Sequence, residues 1–194
     1  RAKRYGVAVD HVFSSGLFGG IEITRRNVVR TKVRESTSGD TSIVDEEQNE
    51  RVNRGYIYWM PAQRLALGMD LYYERYRPDN SDTSVPDEIT TQRIPLSLSY
   101  FNPNGFFGRL VASHIDQDVS PQDGFQQHER FEVVDVMLGY RVPNRKGIVT
   151  LELKNVFGQG FHYENFNFRN DEPSTPPPFI PDREVLIKLV LPLR

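Results

Sequence analysis

The stretch RIPLSLSYFNPNGFFGRLVAS, residues 93–113, sets Ile94, Leu96, Leu98 and Tyr100 on one side of an extended chain and Ser97 and Ser99 on the other. It reverses at Asn102-Pro103-Asn104-Gly105, and a second extended run follows. A period of two, interrupted by Asn, Pro and Gly, is the signature of a β-hairpin.

Extending the same period in both directions predicts nine strands, at 4–14, 17–34, 50–60, 64–77, 90–101, 106–116, 128–142, 147–164 and 183–193. No segment reads better as an amphipathic helix. Leu65, Leu67, Met69, Leu71 and Tyr73 alternate with Ala66, Gly68, Asp70, Tyr72 and Glu74. Val185, Ile187, Leu189 and Leu191 alternate with Leu186, Lys188 and Val190. One face is therefore apolar and the other carries charge. Pro95 inside the fifth strand removes a ladder donor and is expected to bend it.

The 194 residues, with 14 Gly, 13 Pro and 11% aromatics, fit one all-β domain spanning 1–194. A formal net charge of −2 supplies no basic face for nucleic acid. The absence of Cys excludes thiol catalysis and Cys-based zinc sites. No apolar run approaches the roughly 20 residues of a membrane helix. The start, RAKRYGVAVD, has neither an initiator Met nor a signal-peptide apolar region.

The connections separate the fold classes. SSG, PAQR, NPNG and PNRKG are short turns. The intervening ESTSGDTSIVDEEQNE, RPDNSDTSVPDEITT, DQDVSPQDGFQQHE and NFNFRNDEPSTPPPFIPD are long, acidic and polar. Short turns alternating with long loops describe an antiparallel up-and-down transmembrane β-barrel of the bacterial outer membrane. In hydrocarbon a sheet satisfies its backbone only by closing. The apolar face then meets lipid, and the charged face meets water. Phe13, Phe18, Trp59, Phe101, Phe106, Phe107 and Tyr140 near the short turns, with Tyr73 and Tyr76 toward the loops, are candidates for interfacial girdles. If the short turns are periplasmic, the first strand runs downward. With an odd count this implies further strands upstream, making the chain the C-terminal part of a larger barrel.

The last quarter of the chain, VTLELKNVFGQGFHYENF followed by PDREVLIKLVLPL, resembles the final strands of TonB-dependent receptor barrels. Asn155, Val156 and Phe157 stand where that family carries Asn-Leu-Phe, and Pro181, Asp182 and Arg183 where it carries Pro-Gly-Arg. The likeness implies a barrel that takes up a scarce ligand such as a metal chelate or a glycan, and whose partners are outer-membrane lipid, the barrel-assembly machinery and an upstream plug. IPLSLSYFNPNGFF and GYRVPNRKG also look like barrels that follow periplasmic helical-repeat segments. That second likeness implies polymer export or anchoring of a surface structure. The chain departs from the first pattern by ending Leu193-Arg194 instead of in an aromatic, and by containing neither plug nor TonB box.

Candidates for lining the lumen are Asp10, Glu22, Arg26, Asp70, Arg93, Asp135, Glu152, Lys154 and Lys188; the competing reading makes them solvated cross-strand pairs. Asp79, Asn80, Asp82, Asp87 and Glu88 offer the oxygen ligands that calcium uses, without EF-hand spacing. STPPPFIP should be extended, and it presents Phe179 and Ile180 to a partner or simply closes the last hairpin. His11, His114, His128 and His162 form no metal pair on neighbouring positions and lie near no Gly-x-Ser-x-Gly sequence. No catalytic residue, cofactor or metal is expected. The remaining alternative is a soluble β-sandwich that uses the same loops as a binding surface.

Overall fold

The computed structural model describes residues 1–35, 41–79, 86–120, 126–164 and 179–191. They form one antiparallel sheet in which each strand pairs with its neighbours in sequence. The strands are β1 (Ala2–Ser14), β2 (Leu17–Glu35), β3 (Thr41–Ala62), β4 (Leu65–Asp79), β5 (Glu88–Phe101), β6 (Phe106–Ser120), β7 (Gln127–Val142), β8 (Gly147–Lys154) and β9 (Glu184–Val190). Among the described residues no ladder joins β1 to β9.

The turns follow from their residues. At Asn102–Gly105 the Asn102 side chain accepts from the Asn104 N–H at 3.0 Å, and Gly105 adopts φ 97°, which favours glycine. Between β7 and β8, Pro143–Arg145 makes a single 3₁₀ turn with Asn144 at φ 58°.

Two strand bounds differ substantially from the sequence-based expectation. β3 begins at Thr41 instead of 50, so most of ESTSGDTSIVDEEQNE is strand and not loop. Register explains this: Val33 lies opposite Ile43, and Thr31 donates to Asp45 at 2.6 Å, so cross-strand pairs carry the hairpin through an acidic stretch. β8 stops at Lys154 instead of 164, because Asn155 and Gly158 take positive φ of 47° and 62° and turn the chain out of the ladder. β1, β2 and β4 to β7 run slightly longer than expected at the loop end, with β5 from Glu88 and β6 to Ser120, whereas β9 is shorter than the expected 183–193 at both ends.

Pro95 leaves its mark without a slip. The β4–β5 ladder runs through Met69↔Leu96, omits the next two pairs and resumes at Tyr72↔Arg93 in the same register. On the other side Pro95 stays opposite Ser113.

Register places one apolar row beside the next across all nine strands. Leu17, Trp59, Leu67, Leu98, Leu110, Val136, Leu153 and Val185 are successive cross-strand partners on β2 to β9. The band formed by this row and its neighbours is open to the surroundings: Val7, Ile21, Leu96 and Ile187 are 71%, 62%, 50% and 76% exposed. Its loop-side limit falls stepwise, from Ile23 on β2 to Leu71 and Ile94 on β4 and β5, Ala112 and Val134 on β6 and β7, and Leu153 and Val185 on β8 and β9. On each of β4, β5 and β7 the band holds four outward residues, about 20 Å of strand at roughly 3.3 Å per residue. Trp59, Tyr100, Phe106 and Tyr140 edge it at the turn end, whereas Phe18, Phe101 and Phe107, expected to join that girdle, fall on the opposite face. So does Tyr76, only 3% exposed, because residues adjacent in sequence alternate between faces.

The buried core lies on the polar face toward the loops. Tyr76, Ile89 and Val119 form one cluster, and Ile115, Phe131 and Val133 a second.

Candidate functional site

The polar face of β1 to β5 is a wall of matched charges and tyrosines. Arg54 donates through Nε and Nη2 to Asp70 at 2.9 and 2.6 Å, and through Nη2 to the Tyr58 hydroxyl at 2.9 Å. Tyr58 in turn donates to Asp70 at 2.9 Å, and Tyr56 donates to Asp10. Arg93 donates to Glu74 at 2.8 Å, Arg26 lies 3.3 Å from Glu50, and Arg4 lies 3.6 Å from Glu22.

Aromatic faces complete the wall. The rings of Phe18, Tyr58 and Tyr56 follow one another at centroid distances of 5.4 and 5.2 Å. The Arg54 guanidinium stands 4.7 Å from the Tyr56 ring and 5.6 Å from that of Tyr72, and Arg93 covers Tyr72 at 4.5 Å. Glycine leaves room for these groups. A Cβ on Gly68 would sit 2.7 Å from the Tyr58 ring, and one on Gly20 would sit 2.5 Å from Asp10.

Across β6 and β7 the same face is apolar and covered. Residues 155–164, expected as strand, cross it with the chain at 179–183. Phe161 stacks on Phe131 at 4.0 Å with an interplanar angle of 1°, and Tyr163 and Phe179 meet Phe131 edge-on. Phe179 therefore packs inward, away from the partner-facing role considered for it. Gln117, 2% exposed, clips this strap by donating to the Glu164 carbonyl at 3.1 Å and accepting from its N–H at 2.8 Å. Asn155, 1% exposed, ties the two ends. Its side-chain N–H groups donate to the carbonyls of Gln159 at 2.9 Å and Pro181 at 3.0 Å, and its Oδ1 accepts from the Gln159 N–H at 3.0 Å. Burial raises the Tyr163 hydroxyl to about 12.

All nine lumen-lining candidates share the polar face. Asp10, Glu22, Arg26, Asp70 and Arg93 belong to the wall. Asp135 accepts from the Asn155 N–H at 2.8 Å, Lys188 donates to Glu152 at 2.8 Å, and Lys154 lies 3.7 Å from Glu184. Of the motif residues, Asn155 and Pro181 come together, while Phe157 is 75% exposed and Arg183 lies beside Gly158.

Of the calcium candidates, Asn80, Asp82 and the Asp79 side chain lie outside the described residues. Asp87 is exposed, and Glu88 is a β5 residue whose carboxylate is taken by Arg75 and Arg77, which removes it from such a ligand set. Those two arginines hold it down to about 2.

Sequence reasoning missed Arg54, Tyr56, Tyr58 and Tyr72 because their association depends on register across β3 and β4. It also missed a cross-strand cluster of Asp116, Asp118 and His128, whose ligand-type atoms lie within 4.8 Å of one another. There Arg130 donates to Asp116 at 2.6 Å and His128 lies 2.9 Å from Asp118, so the cluster is already internally paired. No family model, curated protein or solved structure matches the chain.

Proposed function

We propose that these nine strands are part of the wall of a bacterial outer-membrane β-barrel, serving a transport channel or receptor of the TonB-dependent-receptor type. The observation that carries this reading is the apolar band. It runs across every strand, stays exposed, and descends stepwise along the sheet. Strands tilted against a membrane produce such a stagger, because lipid levels the band while hydrogen-bond register does not.

The opposite face suits a wet interior, since its charges are paired and its tyrosines are held by carboxylates and guanidinium groups. β1 and β9 are edges with row upon row of backbone groups to satisfy, which hydrocarbon does not tolerate. Closure therefore calls for strands beyond these nine, and the reading makes the chain one sector of a larger ring. The strap would then fill the β6–β7 side of the interior and leave the Arg–Tyr wall of β2 to β5 facing the lumen.

The test is fractionation of cells making the full-length protein, followed by electrophoresis with and without boiling. The reading expects the protein in the outer-membrane fraction, migrating faster unboiled, with an intact mass well above that of these 194 residues. Recovery in the soluble fraction without a heat-dependent shift refutes it.

A further inference from the structure

Four arginines gather on the apolar face, on the loop side of the band. Arg25, Arg51 and Arg75 are direct cross-strand partners on β2, β3 and β4, and Arg77 is one row further out. Like charges opposite one another repel. Glu88 answers Arg75 and Arg77 together, at 2.5 Å each. Arg25 and Arg51 have no ion-pair partner among the described residues; Glu50 beside them is engaged by Arg26 at 3.3 Å. The four arginines line a small hollow of about 100 Å³ with Asn49 and Glu50. A row of four cations whose two nearby carboxylates are already engaged, Glu88 by Arg75 and Arg77 and Glu50 by Arg26, is a site for an anion.

Its place on the sheet selects the anion. Further down the same face, separated by two outward rows from Arg25, Arg51 and Arg75, Leu17, Ile57, Trp59, Leu67, Met69 and Leu96 line an apolar groove of about 590 Å³. Met69 and Arg75 share β4, six residues and about 20 Å apart. A ligand filling both regions has hydrocarbon below and phosphate above. Tyr5 and Tyr73, on the same face at this level, mark the interfacial zone. We infer that Arg25, Arg51, Arg75 and Arg77 bind the phosphates of a membrane glycolipid whose acyl chains lie on the groove. The inference rests on the barrel reading, and it places the arginine row at the headgroups of the outer leaflet. Guanidinium groups suit this role because they pair with phosphate oxygens in a bidentate manner.

The experiment measures binding of bisphosphorylated lipid A, dephosphorylated lipid A and inorganic phosphate to the full-length protein in detergent. The expected result is tighter binding of the phosphorylated lipid, by about tenfold or more, and no displacement by millimolar phosphate. Arg25→Gln combined with Arg51→Gln should remove that preference, while Arg130→Gln on β7 should leave it unchanged. If the double variant does not fold, Arg51→Gln alone should weaken the phosphorylated lipid severalfold. Equal binding of the two lipids, an unaffected arginine variant, or displacement by inorganic phosphate would each overturn the inference. The heat-dependent gel shift, read on the same preparation, keeps the two readings apart. A normal shift without lipid discrimination refutes the lipid site alone, and absence of the shift refutes the barrel.

Discussion

Leu96→Arg measures what surrounds the apolar band. Leu96 stands near mid-band on β5, between Met69 and Ala112, with half of its surface open. An arginine there meets no steric obstacle, so its cost comes almost entirely from the solvent it enters. In the middle of a bilayer that cost is about 2–4 kcal/mol, whereas on a water-facing sheet it lies within about 0.5 kcal/mol. Gln92→Arg is the internal control: same strand and same face, four residues nearer the loops, opposite Tyr73 and Asp116. Near the interface the penalty falls to roughly 0–1 kcal/mol. The two variants should therefore differ by about 1–4 kcal/mol, and a difference of about 2 kcal/mol is a shift of some thirtyfold in the folded population. Refolding the full-length protein into phospholipid vesicles across a guanidinium series, with the unboiled fast-migrating band as the readout, gives both values. Equal costs for Leu96→Arg and Gln92→Arg would refute the placement of the band in lipid.

Asn155→Ala should free the strap, because it strips buried carbonyls of their donors and strains a residue at φ 47°. A loss on the order of 3 kcal/mol in local stability should appear as faster amide exchange across 156–163. Gln117→Leu should release the same segment at Glu164 while leaving the heat-dependent shift intact. The folded Glu88 carboxyl sits at about 2, below its ordinary 4.5, so its contribution is fully present above about pH 4.5 and is lost as pH falls toward 2. Solvent screening at half-exposed Arg77 limits this to about 1 kcal/mol, and Glu88→Gln should abolish that part of the acid dependence in protease-resistance assays. Gly139→Ala places a Cβ 2.2 Å from the Phe107 ring and should destabilise by about 1–3 kcal/mol in the same guanidinium titration.

The sheet was legible because alternation is a local property: Leu65 to Leu71 and Ile94 to Tyr100 declare their faces from their own neighbours. Asp70 and Arg93 could be placed on the polar face for the same reason. Their partners could not, since Arg54 and Tyr58 reach Asp70 only once β3 and β4 are in register. The acidic composition of 41–49 masked a strand that cross-strand pairing sustains. The strap was misread as strand because FHYE, residues 161–164, has the aromatic content of one, while Asn155 and Gly158 take backbone conformations that composition does not announce. Phe107 and Tyr76 were assigned to the girdle by distance along the chain, which ignores the side on which each residue falls.

The neighbour-to-neighbour order of the sheet bears on how such a protein is made and how it changes. Among the described residues every ladder joins strands consecutive in the chain, so each hairpin can zip onto the one before it without waiting for distant partners. A hairpin gained or lost by duplication or deletion would widen or narrow the sheet while disturbing only the seam where it was inserted. Among the described residues the Gln117 clip reaches past the ladders, linking residues 47 apart in sequence, as does the packing of Phe161 and Phe179 on Phe131. Together they tie β6 and β7 to the connection after β8, so these last hairpins resist reshuffling in a way that the ladders alone do not require.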